Sequence, residues 1–240
     1  MIKYLYKELF LEQSTSEITF DVPRGYFVTG VKLASSYGHA FVTVSDSLGN
    51  ILLDRILQDF LDPNSDNTEA ANFFKIPQYQ YSPRIKFKFE RITSQYNSYI
   101  PTGILLQLTE TKPPVRFCYK SLHIPIIPYG GTFFSDSLDF NNHRPFYLNA
   151  ISANGSYTKI ELRTISDNLI FESAFNLIGN RSDLNFEKYF LLPDEIREQN
   201  EIKVNISLTR EFKSSSPDYI AYRNFLFVCI DEFEEAENLC

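Results

Sequence analysis

The sequence predicts an all-β protein made of two tandem, internally duplicated antiparallel β-sandwiches, with about eight strands each. Three observations carry that expectation. The segment Val115-Arg116-Phe117-Cys118-Tyr119-Lys120-Ser121-Leu122 restates Ile2-Lys3-Tyr4-Leu5-Tyr6-Lys7-Glu8-Leu9, aliphatic on aliphatic, base on base, aromatic on aromatic. The apolar residues are weighted toward sheet, with 22 Phe and 15 Tyr against no Trp and one Met. Aromatic and β-branched side chains fit a pleated, half-buried surface. Matching runs of apolar and polar residues then recur in the same order in both halves, and length differences fall between the runs.

The first run, residues 2–11, carries no strong helix stop of its own. Its counterpart, residues 115–124, runs into Pro125 and Pro128, which a helix interior would not accept. Both read as strands. Ser16-Glu17-Ile18-Thr19-Phe20-Asp21-Val22 alternates with the period of a strand that has one buried face. Asp136-Ser137-Leu138-Asp139-Phe140-Asn141 is set against it, with Phe20 on Phe140. The Pro/Gly-rich segment 125–131 reads as a loop that holds the extra residues of the second half.

Residues 26–33 match 146–152, and a turn follows each, Ser36-Tyr37-Gly38 and Ala153-Asn154-Gly155. The clearest hairpin comes next. Phe41-Val42-Thr43-Val44-Ser45 leads through Asp46-Ser47-Leu48-Gly49 into Asn50-Ile51-Leu52-Leu53-Asp54. Residues 159–172 repeat it in constant register, with Asn168 on Asn50. A short polar connection between two alternating runs is a hairpin signal.

Polar excursions at 59–70 and 179–185 read as surface loops. Residues 72–77 match 188–193. Arg84-Ile85-Lys86-Phe87-Lys88-Phe89-Glu90 alternates strictly, and residues 201–208 answer it. The closing runs, 103–108 and 224–230, are nearly continuous in apolar residues, as inner strands covered on both sides are. Lys112-Pro113-Pro114 reads as the linker. The expected domains are an N-terminal sandwich at 1–112, its repeat at 113–235 and an acidic tail at 236–240.

A chain of 240 residues lets each half bury a core without disulfides or metal. The net charge of −7 argues against a protein that grips nucleic-acid phosphates, since that grip needs Lys and Arg. Cys118, Cys229 and Cys240 cannot all pair within one chain, and they do not recur between the halves. That usage suits a reducing compartment. The N-terminus lacks the apolar core of a signal peptide, and no run approaches the length of a membrane-spanning helix. A soluble protein made in a cytoplasm is expected.

No motif states a chemistry. His39, His123 and His143 show no metal-ligand spacing, and the phosphate-cradling and nucleophile-elbow glycine motifs are missing. Cys229 falls in an apolar run, where a thiol is usually inert. Among the carboxylates only Asp54 and Glu172 match between the halves, at a strand end that reads as a solvated edge. The Asp59-Phe60-Leu61-Asp62-Pro63-Asn64-Ser65-Asp66-Asn67 segment is rich in hard oxygen ligands but has the composition of any turn. No catalytic residue, cofactor or metal is expected. One feature recurs with a candidate purpose: the loop before each closing strand carries two tyrosines, Tyr96 and Tyr99, then Tyr219 and Tyr222. Tyrosine is enriched at interfaces, and the alternative is that these rings cap the ends of the sandwiches.

Eight strands in two sheets is the jelly-roll count. Two such modules in tandem resemble the double jelly-roll capsid proteins of tailless viruses and phages, and tandem-sandwich virion components more widely. The resemblance covers most of the chain and rests on strand count and duplication. It implies a non-enzymatic structural or assembly protein of a virion, located there after synthesis in the host cytoplasm. Its implied partners are itself or other virion proteins, with neither nucleic acid nor membrane bound directly. A tandem carbohydrate-binding module is the alternative; the missing Trp counts against it, because sugar platforms favour large aromatic faces. A sandwich-fold hydrolase stands third, without a visible catalytic set.

Overall fold

The computed structural model describes residues 1–10, 14–35, 40–61, 73–78, 80–92, 101–112, 117–127, 129–139, 146–154, 158–174, 190–196, 199–208 and 221–231. Among the described residues the first half holds β1 (Ile2–Phe10), β2 (Thr15–Asp21), β3 (Phe27–Ser35), β4 (Ala40–Asp46), β5 (Ile51–Leu57), β6 (Phe74–Lys75), β7 (Arg84–Arg91) and β8 (Pro101–Thr109). The second half holds β9 (Phe117–Ile126), β10 (Phe133–Asp139), β11 (Phe146–Asn154), β12 (Thr158–Thr164), β13 (Leu169–Ala174), β14 (Phe190–Leu191), β15 (Glu201–Leu208) and β16 (Ala221–Asp231). The only helical pieces among the described residues are two 3₁₀ turns, Gln58–Phe60 and Asp194–Ile196.

The strands form four four-stranded sheets. In the first half these are β1-β8-β3-β6 and β2-β7-β4-β5; in the second they are β9-β16-β11-β14 and β10-β15-β12-β13. Raising each strand number by eight turns the first pair of sheets into the second. Two four-stranded sheets with this crossing order make an eight-stranded jelly roll, and the chain carries two in tandem. It divides into two compact units, Met1–Cys118 with Ser182–Lys188, and Tyr119–Arg181 with Tyr189–Cys240.

Alternation decides what each strand buries. In β7, Ile85, Phe87 and Phe89 are fully buried while Arg84 and Lys86 are exposed. In β8 the core takes Ile104, Leu106 and Leu108, so Gly103, Leu105 and Gln107 face the other way. The second unit does the same with Ile202, Val204 and Ile206 of β15. Each such side chain stabilises the fold by about 1.5–3 kcal/mol relative to exposure.

Equivalence between the units reaches the irregularities. The β3/β8 ladder slips between Val28 and Gly30, and the β11/β16 ladder slips between Leu148 and Ala150. A second slip falls between Val44 and Ser45 in β4/β5 and between Leu162 and Arg163 in β12/β13. Bulges of this kind bend a strand at a chosen point and are features of design rather than defects.

Three sequence expectations need correction. Phe20 pairs with Ile85, and Leu138 pairs with Ile202, so the partner of Phe20 in the repeat is Leu138 and not Phe140. The shift is two residues, which keeps every side chain on its face, and polarity alternation cannot detect it. β9 runs through Pro125 to Ile126 instead of ending before the proline. It is an edge strand, and such a strand accepts a proline where the missing N–H would face the unpaired side. Ala153 and Asn154, expected in a turn, extend β11 and pair with Phe225 and Asn224.

Candidate functional site

Of the four tyrosines singled out in the sequence, Tyr96, Tyr99 and Tyr219 lie outside the described residues. Tyr222 belongs to β16 and not to the loop before it; its side chain is not among those described. The Asp59–Asn67 oxygen-rich segment lies outside them from Asp62 onward, as do His39, His143 and Cys240. His123 and Cys118 are half-buried in β9, and Cys229 is buried in β16. No group of three or more His, Cys, Asp or Glu is placed to hold a metal ion among the described residues.

What can be built from the residues upward is a contrast between sheet faces. The outer face of β2-β7-β4-β5 is a charge ladder. Arg84 Nε lies 3.2 Å from Asp21 Oδ1, Lys86 Nζ 3.6 Å from Glu17 Oε2 and Lys88 Nζ 2.7 Å from Glu90 Oε1. The Lys88 hydrogen bond, with the Arg55 charge nearby, holds the Glu90 carboxyl below its ordinary range. The second unit repeats the theme. Glu161 accepts from Lys159 at 3.0 Å and from Arg163 at 2.8 Å, and Lys159 also reaches Glu172 at 2.8 Å. These bonds lower the Glu161 carboxyl, with Lys159 the larger cause, while Glu172 and then Glu161 raise the Lys159 ammonium. Glu172, one of the two matched carboxylates, is thus half of a solvated cross-strand pair. Ladders like these keep a sheet face wet and contribute little stability apiece.

The outer face of β1-β8-β3-β6 is different. Ile2, Tyr4, Tyr6 and Phe10 project from β1 on the side of Leu105 and Gln107, away from the core. They are 57%, 55%, 59% and 51% exposed. The rings of Tyr4 and Tyr6 are held in place. Tyr4 stacks on Phe73 at 5.7 Å between centroids, and Lys32 Nζ stands 5.0 Å over the Phe73 ring. Tyr6 lies against Gly103, where a Cβ would meet its hydroxyl at 3.1 Å. Its hydroxyl donates to Glu8 Oε1 at 2.6 Å, which raises the Tyr6 phenol above its usual value. Sequence reasoning placed β1 correctly but did not mark it as a surface, because alternation shows that a strand has two faces without saying which is covered.

No family model matches the chain, and no curated protein is significantly similar to it in sequence. Solved structures do match in fold. The major capsid protein P2 of bacteriophage PM2 aligns with a TM-score of 0.52 at 10% identity, over 96% of this chain and 97% of that one. PNGase F, a glycosylasparaginase from Flavobacterium meningosepticum, aligns at 0.42 and 12% identity over 95% and 96%. A chain of the Sulfolobus turreted icosahedral virus aligns at 0.28 and 10% identity, over 93% of this chain and 59% of that one. At such identities the likeness is one of fold. In architecture, the chain resembles the jelly-roll proteins of viral capsids.

Proposed function

We propose that this chain is a non-enzymatic structural protein of a virion, a capsid, capsid-associated or connector part that works through protein–protein contacts. One observation carries the reading: two eight-stranded jelly rolls stand in tandem, and the chain aligns over 96% of its length with the PM2 capsid protein. On this reading the protein associates with itself or with other virion proteins, resides in the virion, and binds neither nucleic acid nor membrane directly. No helix among the described residues is long and apolar enough to cross a membrane.

We further propose that the chain arose by duplication, with domains at 1–112 and 113–235 and a tail at 236–240. The strand order and the two shared ladder slips support this. The tyrosines Tyr96, Tyr99, Tyr219 and Tyr222 stay proposed interface residues on their sequence pattern.

The test is to fractionate particles from the native source and identify their proteins by mass spectrometry. The chain should co-purify with particles at a stoichiometry that survives repeated banding. Its absence from particles, together with glycan binding or hydrolysis by the purified chain, would overturn the reading in favour of a sugar-directed protein.

A further inference from the structure

We infer that β1 is a releasable arm: it leaves β8 while the rest of the first roll stays folded, and two copies of this chain exchange their arms. The inference takes from the assembly reading above only that the partner is another copy, and it adds the element that is exchanged.

The observation behind it is that β1 adds no buried side chain to the core it borders. Its core-side row is Lys3, Leu5, Lys7 and Leu9, set opposite Leu108, Leu106, Ile104 and Thr102 of β8. Those four β8 residues are fully buried. On β1, Leu5 and Leu9 are half-buried and both lysines are exposed. Among the described residues the first buried side chain along the chain is Phe20, in β2. The repeat sharpens the contrast. β9, which restates β1 in sequence, buries Phe117, Tyr119, Leu122, Ile124 and Ile126.

Ordering a strand costs conformational entropy, which apolar burial normally offsets. β1 has instead its ladder to β8 and a set of exposed contacts. Lys3 Nζ stands 4.3 Å from the Tyr26 ring centroid, and Tyr4 stacks on Phe73 at 5.7 Å. Lys7 Nζ stands 5.3 Å from the Phe20 ring centroid and donates to the Thr19 carbonyl at 2.6 Å. Cation–π and ionic contacts at exposed sites are weak. Elements with few buried apolar contacts and a solvent-exposed ladder open locally, below the free energy of global unfolding.

Release makes β8 the edge of its sheet, with a row of unpaired backbone groups that templates a further strand. The strand that fits is β1 of another copy. Every contact it made within its own chain is remade between two chains, which is why swapping an element is a low-cost route to a dimer. Only residues 11–14 join β1 to β2, and these are edge strands of two different sheets. Short hinges of this kind invite exchange.

The experiment uses the full chain. Hydrogen exchange read by mass spectrometry in rising urea compares peptides that span β1 and β9. The β1 amides should exchange about tenfold or more faster than those of β9, with little dependence on urea, because the opening exposes little surface. Tyr6→Cys combined with Leu105→Cys puts cysteines at two opposed positions of the ladder. That variant is equilibrated reduced over a concentration series and then oxidised. It should form its bond within one chain when dilute and give a rising share of disulfide-linked dimer as it is concentrated. The wild type, oxidised alongside, reads any bond made by Cys118, Cys229 or Cys240. Ile2→Cys combined with Thr109→Cys, at the end of the same ladder, serves if the first pair does not fold. β1 amides that exchange only with global unfolding would overturn the inference, and so would a bond that stays within one chain at every concentration. Either result leaves the virion reading standing, because that reading falls only if the chain is missing from particles.

Discussion

Gly49 and Asp167 occupy the same corner of the two hairpin turns, with φ of +87° and +67°. Around Gly49 the turn closes through Gly49 N–H to the Asp46 carbonyl at 3.2 Å and Asp46 N–H to the Asn50 carbonyl at 3.0 Å. Around Asp167 the corresponding bonds run from Asp167 N–H to Thr164 at 3.0 Å and from Thr164 N–H to Asn168 at 2.9 Å. Even the side-chain support is shared: Asp46 Oδ1 accepts from Asn50 N–H at 2.9 Å, and Thr164 Oγ1 accepts from Asn168 N–H at 3.1 Å. One turn geometry has been kept on two different sequences, and only the first uses glycine for the left-handed residue.

That asymmetry predicts opposite outcomes. Gly49→Ala puts a Cβ into the left-handed region and should cost about 1 kcal/mol. Asp167→Gly relieves the same strain and should gain up to about 1 kcal/mol. It forfeits an exposed ion pair to Lys203 at 2.9 Å, a contact of small net worth. Urea midpoints at unchanged slope should move in opposite directions for the two variants.

A second glycine is fixed by space and not by dihedral angle. A Cβ on Gly30 would stand 2.6 Å from Phe73 Cβ and 3.4 Å from Gln107 Oε1. Gly30→Ala must therefore push Phe73 off the sheet, with a cost of about 1–3 kcal/mol as for other overpacked sites. The second unit carries Ala150 at this point of its ladder. Chemical denaturation should show Gly30→Ala destabilised while Ala150→Gly loses only about 0.5–1 kcal/mol of backbone-entropy advantage.

Much of this fold was legible in the sequence, for identifiable reasons. Strand existence and face follow from alternation, so Ile85 and Ile202 fell into equivalent strands with equivalent buried neighbours. Register does not follow from alternation. The two-residue shift between Phe20 and Leu138 preserves polarity at each position, and only the hydrogen-bonded partners fix it. Pro125 was misread because a proline stops a strand only where its N–H is needed, and edge position is a property of the assembled sheet. The exposed row of Tyr4 and Tyr6 was not legible either. Their counterparts Phe117 and Tyr119 have similar chemistry, and the difference lies in what covers them.

Acid should weaken the fold through the paired carboxylates on the outer sheet faces. Glu161 and Glu90 are held below their ordinary values by hydrogen bonds from Lys159 and Lys88 respectively. A carboxylate depressed in the folded state stabilises it fully above the unfolded value and loses that contribution as pH falls through the folded one. The unfolded value is about 4.3 for Glu, so the loss falls below that. Lys159, whose folded value is raised, adds stability below about pH 10.4 that fades only at higher pH. Glu161→Gln should therefore flatten the fall in urea midpoint between about pH 5 and 3. An unchanged acid limb in that variant would show that Glu161 is not among the groups responsible.

The last prediction concerns two polar groups inside the first unit. Gln58 is 1% exposed, and among the described residues neither its Nε2 nor its Oε1 has a hydrogen-bond partner, nor does the hydroxyl of Thr102, which is fully buried in β8. Gln78 shows what a satisfied buried amide looks like here, since its Oε1 accepts from the Val28 N–H and its Nε2 donates to the Gln80 carbonyl at 3.1 Å. Burying an amide without partners costs about 1–3 kcal/mol, and an apolar side chain of the same length removes that cost without opening a cavity. Gln58→Met should therefore raise the urea midpoint by an amount equivalent to about 1 kcal/mol or more. Thr102→Val should do the same to a smaller extent, because a hydroxyl loses less on desolvation than an amide with two polar atoms. Gln78→Met should do the opposite, because it leaves the Val28 N–H without its acceptor. If Gln58→Met destabilises the chain as Gln78→Met does, the Gln58 amide has hydrogen-bond partners in solution, and the simplest candidate is a bound water bridging it to the backbone.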